Sequence, residues 1–320
     1  MNRNLKLLRH TFIILVATIL LQHIAMAQQE PTHAMYMMNK LLVNPAYAGY
    51  KENANFTLVH RSQWLGFKGA PSTQVLSFDT PMKKDKLAFG ATIYRDKIGP
   101  TSFTGAEVNF TYRMRLTNRA TFAFGLKASA ALYQANLTDL MLISDYYGQE
   151  DVMFQYNVNG LLLPNAGFGM FYYKKDHYIG FSIPKMIRNR LDPSNSPVYD
   201  LMRGRQEWTG YLTAGKMIKV NKQIKLQPNM IIKGQINAPL SAGLYFNVIF
   251  LDQFTAGLFA HIKESAGLLV QWQLDKQFKF GYSFDVPTSA LIKSTWGSHE
   301  LAVSYGIPTK RKRIVYPRYF

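Results

Sequence analysis

The sequence predicts an all-β fold: a transmembrane outer-membrane β-barrel of about 14 antiparallel strands, with an N-terminal segment tucked into or under the barrel. Polar and apolar residues alternate along many stretches, and these are often long enough for the about 9–11 residues that a tilted strand needs to cross a bilayer. The connections between the stretches are alternately short and long, as in outer-membrane barrels. Aromatic residues make up 14% of the chain, which fits the aromatic girdles of such barrels.

The chain begins with the features of a secretory signal peptide. A basic start is followed by the apolar run Thr11–Leu21 and by a small-x-small cleavage site, Ala25-Met26-Ala27. A membrane anchor is the alternative, but the run is short for a helical span of about 20 residues. We divide the chain into a signal peptide (1–27), an N-terminal segment (28–53), the β-barrel (54–307) and a basic periplasmic tail (308–320).

Charge and composition narrow the class of partner. The formal net charge is +18 and cysteine is absent, so an exported chain has no disulfide scaffold and must hold its fold by burial and backbone hydrogen bonds. A basic chain raises nucleic acid as a partner, but the basic residues lie scattered through turns and one tail. Outer-membrane lipid or an acidic partner therefore fits better, and we expect no nucleic acid.

The stretch Thr104–Leu116 shows the alternation most clearly. Val108 and Phe110 fall on one face of the predicted strand, and Glu107 and Arg115 fall on the other. A soluble sandwich also alternates, but the strand lengths and the Gly-, Ser-, Gln- and Lys-rich polar faces favour a barrel. Unpaired backbone groups are not tolerated in a bilayer, so the sheet has to close.

The predicted topology fixes which connections lie outside the cell. An even number of strands places both ends of the barrel at the periplasmic rim. The first hairpin tip, Trp64–Pro71, then lies outside, as do the loops Asp96–Thr101, Asn136–Pro164 and Pro184–Arg205. Before the first predicted strand in the chain, the stretch Met35–Tyr50 predicts a short amphipathic helix followed by a turn at Asn44-Pro45.

The tip of the first hairpin carries the best binding candidates. Trp64 and Phe67 lie among glycines, where a solvated turn would be polar. They either anchor a partner or fold back and shape the barrel mouth, and the sequence favours neither. The predicted partner-binding residues are Trp64, Gly66, Phe67, Gly69, Ala70 and Pro71 in the tip, and Lys97, Gly99 and Pro100 in the second outer loop. For the second loop the alternative is a plain Gly-Pro turn, which the sequence favours.

The basic tail is a second candidate. Lys310, Arg311, Lys312 and Arg313 follow the last strand and form a predicted docking site for a periplasmic partner, with a solvated tail near anionic head groups as the alternative. No catalytic motif appears, and we expect no enzyme activity, cofactor or metal. The acidic stretch Asp145–Asp151 could offer oxygen ligands to Ca²⁺, but its spacing fits no EF-hand and favours a solvated loop.

Several motifs resemble the PorP/SprF family. They are VNPAYAG (Val43–Gly49), RSQWLGFKGAPSTQVLSFDTP (Arg61–Pro81), DKIGPTSFTG (Asp96–Gly105), FGLKASAALYQANL (Phe124–Leu137) and the terminal PRYF (Pro317–Phe320). The resemblance implies an outer-membrane barrel of the Bacteroidetes type IX secretion system, a system also associated with gliding motility. It further implies export or surface attachment of cargo with C-terminal sorting domains. The implied partners are other secretion components and a periplasmic peptidoglycan-binding protein.

A passive outer-membrane channel for small solutes is the alternative function. A channel needs a continuous polar lumen, and the sequence leaves open whether Tyr133 and the Met-rich N-terminal segment block it.

Overall fold

The computed structural model describes residues 33–51, 53–82, 86–117, 120–138, 157–191, 205–236 and 238–307. Its strands are β1 (Ala54–Ser62), β2 (Ser72–Pro81), β3 (Leu87–Ile98), β4 (Thr101–Arg115), β5 (Thr121–Ala135), β6 (Val158–Tyr173), β7 (His177–Lys185), β8 (Thr209–Lys216), β9 (Ile218–Lys219), β10 (Ile224–Gln235), β11 (Ser241–Phe250), β12 (Phe254–His261), β13 (Ser265–Gln273), β14 (Phe278–Pro287) and β15 (Ser298–Ile307). The predicted signal peptide, the predicted periplasmic tail and the acidic stretch at 145–151 lie outside the described residues.

The sheet closes into a barrel. Each strand pairs antiparallel with its neighbours, and β1 pairs with β15 from Ala54↔Ile307 to Ser62↔His299. The two-residue strand β9 pairs only with β10 and stands outside the closed ring, so 14 of the 15 strands form the barrel. The predicted fold class and strand number are confirmed, and closure leaves no unpaired edge in the membrane.

The two faces of the wall differ as the alternation predicts. On β4, Phe110 is 58% exposed on the outside, whereas Glu107 and Asn109 are buried inside. The same polar-in, apolar-out order recurs along the other long strands. The barrel therefore turns an apolar face to lipid and a polar face to its lumen.

Two of the predicted outer loops are shorter in the structure. Strand β3 continues to Ile98 and β4 starts at Thr101, so the predicted loop Asp96–Thr101 is reduced to a Gly99-Pro100 turn. Strand β6 starts at Val158 rather than near Asn165. In both places main-chain pairing continues past the last clearly alternating residue, because ladder hydrogen bonds do not depend on side-chain polarity.

The barrel has one rim of tight turns and one rim that carries the longer connections. The turns at 174–176 and 251–253 lie on the first, here called the short-turn rim, together with the first and last barrel residues. The connections at 63–71 and 288–297 lie on the second, the long-loop rim. In outer-membrane barrels the short turns are periplasmic.

Residues 33–51, here called the lumen segment, lie inside the barrel. The expected amphipathic helix does not form; the segment has turns and two short 3₁₀ helices, Lys40–Leu42 and Pro45–Tyr47. Its backbone N–H groups bond mostly within single turns, as when the Val43 N–H donates to the Lys40 carbonyl at 3.2 Å. Some of its carbonyls accept from the barrel wall, as when Thr111 donates to the Pro45 carbonyl at 2.8 Å. Those wall contacts take the place of the longer ladder that a regular helix would form.

Candidate partner-binding rim and the filled lumen

The lumen segment is held near the long-loop rim by a buried ionic cluster. The Arg61 guanidinium contacts both Asp285 oxygens at 2.9 and 3.2 Å and one Glu300 oxygen at 3.2 Å. The same Glu300 carboxylate accepts hydrogen bonds from the backbone N–H groups of Ala34 at 2.9 Å and Met35 at 3.0 Å. These charged groups are almost fully buried, so the desolvation of each must be offset by its oppositely charged neighbours and hydrogen bonds.

The other end of the lumen segment is held near the short-turn rim. The Gly49 N–H donates to Asp79 at 2.9 Å, and the Arg113 guanidinium donates to the Gly49 carbonyl at 2.6 Å. Glycine is required here because its φ is +68° and an added Cβ would overlap Ala88. The segment therefore spans the lumen from one rim to the other and is fixed at both ends.

Between these ends the lumen is packed with aromatic side chains. Tyr47 and Tyr50 stack with ring centroids 5.1 Å apart, and Phe171 of the wall packs edge-on against both. Tyr36 packs edge-on against Tyr245 at 5.2 Å. The central core of the protein thus lies inside the barrel, around the lumen segment.

A buried lysine lies in the same aromatic region. The Lys40 ammonium lies 4.6 Å from the ring centroid of Tyr178 and 5.5 Å from that of Tyr47. Burial lowers the pKa of Lys40 well below its ordinary value, because desolvation disfavours the charged form. The contact with Tyr178 could not be predicted from the sequence, since the two residues lie far apart in the chain.

The predicted tip, Trp64–Pro71, folds into two consecutive turns. The Phe67 N–H donates to the Trp64 carbonyl and the Ala70 N–H donates to the Phe67 carbonyl, each at 3.1 Å. Positive φ values at Trp64, Gly66 and Gly69 make this path possible, and glycine adopts them without strain at two of the three. The tip is therefore an ordered structure rather than a loose loop.

Two neighbouring connections brace the tip. Leu65 exchanges backbone hydrogen bonds of 2.8 Å with the β14–β15 connection, donating to Gly297 and accepting from Trp296. On the other side, the Gly99 N–H donates to the Gly69 carbonyl at 2.9 Å. The structure thus brings the first and second outer loops together and adds a third connection to them.

The braced tip exposes a group of large apolar side chains. We call Trp64, Leu65, Phe67 and Trp296 the aromatic rim. Trp296 is 80% exposed, Phe67 49% and Leu65 40%, while Trp64 is half-buried. Exposed Lys68 and Lys97 add positive charge beside them. Exposed aromatics on a fixed main chain suit a protein-binding surface, because little conformational entropy is lost on binding.

Sequence reasoning missed Trp296. Its indole lies over Gly66, where an added Cβ would come within 2.5 Å of the ring. An aromatic residue beside glycine was the signal that singled out the first tip, and the same signal is present at Trp296-Gly297. Of the other predicted residues, Pro71 is buried at the foot of the tip, and Lys310–Arg313 lie outside the described residues.

The described part of the chain offers no arrangement for metal or covalent chemistry. Across the described residues, no three His, Asp or Glu side chains are grouped so that they could hold a metal ion. His261 lies 2.7 Å from the Tyr245 hydroxyl and 3.4 Å from Ser265, but all three are packed in the core. This geometry suits structural hydrogen bonding.

A closed antiparallel barrel with an apolar outer face and a polar interior defines the class of outer-membrane β-barrel proteins. A family model described as "Type IX secretion system membrane protein PorP/SprF" matches residues 25–305. The chain therefore belongs to the PorP/SprF family of type IX secretion system membrane proteins, and its place is the outer membrane. No curated protein sequence matches the chain.

Solved outer-membrane barrels share the fold. The CymD monoaromatic hydrocarbon channel is 10% identical with a TM-score of 0.51, covering 90% of this chain and 96% of that one. The toluene transporter TbuX of Ralstonia pickettii is 11% identical with a TM-score of 0.50, covering 85% and 92%. At these identities the likeness shows the fold alone. None of these descriptions names an enzyme.

Proposed function

We propose that the chain is a non-enzymatic component of the type IX secretion system that supports export or cell-surface attachment of proteins with C-terminal sorting domains. The aromatic rim is the observation that carries this proposal. Trp296 and Phe67 project from two of the three connections that brace one another on the long-loop rim, which faces out of the cell in barrels of this class. Such side chains can act as anchors for a protein partner.

The packed lumen argues against the alternative, a passive channel for small solutes. Tyr36, Tyr47 and Tyr50 of the lumen segment are each about 1–2% exposed and contact the wall from several sides. A solute would have to displace these side chains and the two anchored ends of the segment. Purified barrel in planar bilayers should therefore show no steady conductance, and open-channel currents would favour the channel.

A double substitution of the aromatic rim tests the proposal. Phe67→Ala with Trp296→Ala removes two exposed anchors, and anchor residues typically contribute about 2 kcal/mol or more each to binding. We expect surface retention of cargo to be lost while barrel abundance in the outer membrane is unchanged. Trp208→Ala is the matched control, because Trp208 is 46% exposed and precedes β8 outside the aromatic rim.

The Trp64→Ala, Phe67→Ala pair, which the sequence alone suggests, should give the same loss. Normal cargo retention in both double variants would contradict the proposed role of the rim. An equal loss in the Trp208→Ala control would point to a general effect on the long-loop rim rather than to the aromatic anchors.

We also propose a periplasmic contact through Lys310–Arg313, with an acidic or peptidoglycan-binding protein as the partner. Replacement of the four residues by glutamine should reduce recovery of that partner with the barrel and leave cargo retention intact. Unchanged recovery would leave the tail as a solvated segment near lipid head groups.

A further inference from the structure

The barrel wall has an interruption between β8 and β10. The two strands pair from Thr209↔Gln235 to Gly215↔Asn229, and pairing resumes at Ile218↔Leu226 of β9. Pro228 lies in the gap and has no N–H to donate to a ladder. Met217 lies between β8 and β9, and its N–H donates to the Asp176 carbonyl of the neighbouring turn at 2.7 Å.

A groove of about 680 Å³ lies at this interruption, and it crosses β8, β10, β11 and β12. Outward-facing Leu244, Phe246 and Leu258, which are 49–61% exposed, line it on one side. The smaller residues line it at and beside the break in the ladder: Pro228 lies in the gap, and Ala214 lies next to it in the paired part of β8. Most of its lining side chains face outward, so the groove opens on the lipid-facing side of the wall. Its floor includes the buried, inward-facing residues Tyr178, Tyr245 and Phe259.

Positive charge lies at one end of the groove. Lys216 is the last residue of β8, faces outward and lines the groove. Exposed Lys219 and Lys222 follow it at the hairpin that leads into β10. All three lie at the short-turn rim, which is the level of the periplasmic head groups in barrels of this class. Lysines at this depth attract lipid phosphate.

We propose that the groove binds one anionic phospholipid of the periplasmic leaflet, with an acyl chain along Ala214, Pro228 and Leu258 and the phosphate at Lys216. The apolar lining fits the chain, and the volume is within the range of about 300–1,000 Å³ of typical ligand sites. The charge at the periplasmic end fits an anionic head group rather than a second protein surface. This inference does not depend on the proposed secretion role.

Lipid analysis of purified barrel tests the site. Ala214→Trp fills the groove, and Ala128→Trp is the matched control, because Ala128 is exposed on the lipid-facing side of β5 away from the groove. Barrels are extracted from outer membranes in mild detergent, heat-modified migration on gels verifies folding, and retained phospholipid is quantified by mass spectrometry. We expect the wild type and the control to retain anionic phospholipid, and Ala214→Trp to retain about tenfold less, because contacts with acyl methylene groups are lost.

Equal lipid retention in folded Ala214→Trp and wild type would overturn the proposal. Loss of a co-purified protein from Ala214→Trp without loss of lipid would also overturn it, because the occupant would then be a protein. Lys216→Gln, which leaves the groove open, should reduce the preference for anionic over zwitterionic phospholipid in added mixed vesicles. If Lys216→Gln keeps the same preference for anionic phospholipid, the proposed contact between Lys216 and the phosphate is wrong. This test does not require Ala214→Trp to fold.

Discussion

Replacing Glu300 by alanine should release the end of the lumen segment that lies near the long-loop rim. The Glu300 carboxylate accepts backbone hydrogen bonds from Ala34 and Met35 and also contacts Arg61. Arg61 keeps its two contacts with Asp285 in the variant, so the wall retains a partner for the buried guanidinium. The main loss falls on the two backbone N–H groups of the segment.

The size of the effect follows from those two bonds. A hydrogen bond to a charged group contributes about 1.5–3 kcal/mol, so two contribute about 3–6 kcal/mol. Because 1.4 kcal/mol is a factor of ten, local opening at Ala34 and Met35 should become about 10²- to 10⁴-fold more frequent. The contacts of Gly49 at the other end and the strand pairing of the wall are unaffected, so the barrel should remain folded.

Hydrogen exchange followed by mass spectrometry measures this opening directly. Peptides that contain Ala34 and Met35 should exchange faster in Glu300→Ala, whereas strand peptides should keep the wild-type rate. Asp285→Asn is the control, because it weakens the contact with Arg61 and leaves both acceptors of the segment in place. Wild-type exchange in Glu300→Ala, or the same acceleration in the control, would refute the anchoring role of Glu300.

Three further substitutions have defined outcomes. Gly125→Ala should destabilise the barrel by about 1–3 kcal/mol in thermal unfolding, because the new Cβ overlaps the backbone of the lumen segment. Gly210→Ala is the control and should destabilise the barrel less, because its new Cβ would lie 3.9 Å from the nearest atom. Gly66→Ala should weaken cargo capture by displacing the indole above it, and Gly160→Ala, which has a similar positive φ but no neighbour within 4 Å, should not. Lys40→Met should raise the unfolding temperature at neutral pH. In the wild type, burial lowers the pKa of Lys40 in the folded state, so between neutral pH and about 10.4 the unfolded chain binds more protons than the folded one. Wild-type stability should therefore rise with pH in this range, and Lys40→Met should remove that rise. Equal behaviour of variant and control, or an unchanged pH slope in Lys40→Met, would contradict these expectations.

The wall of the barrel could be predicted because its signal is local. Alternation along β4 reports directly which side chains face lipid, and Phe110 and Glu107 take the predicted opposite faces. Strand boundaries such as the start of β6 at Val158 are harder to predict, since ladder hydrogen bonds extend beyond the alternating residues.

The contents of the lumen could not be predicted in the same way. The 3₁₀ turns around Lys40 and Pro45 depend on hydrogen bonds to wall residues more than 60 positions away in sequence, such as Thr111. Local propensity carries no information about those partners, so a helix was the natural but wrong expectation for this stretch.

The aromatic rim was predictable in part. Trp64 and Phe67 stand out within one hairpin, because large aromatics among glycines are unusual in a solvated turn. Trp296 joins them only through the closure of β15 on β1, which brings the last loop of the chain beside the first. Contacts of that kind follow from the topology of the barrel and not from the residues flanking either loop.

Recovery of bound proteins tests the secretion role most directly. The tagged barrel is isolated from mildly solubilised outer membranes, and the proteins that remain bound are identified by mass spectrometry. The account predicts recovery of type IX secretion components or of a cargo that ends in a C-terminal sorting domain, with less cargo on the Phe67→Ala, Trp296→Ala variant. Recovery of the barrel alone, together with steady conductance in planar bilayers, would contradict it and favour a passive channel.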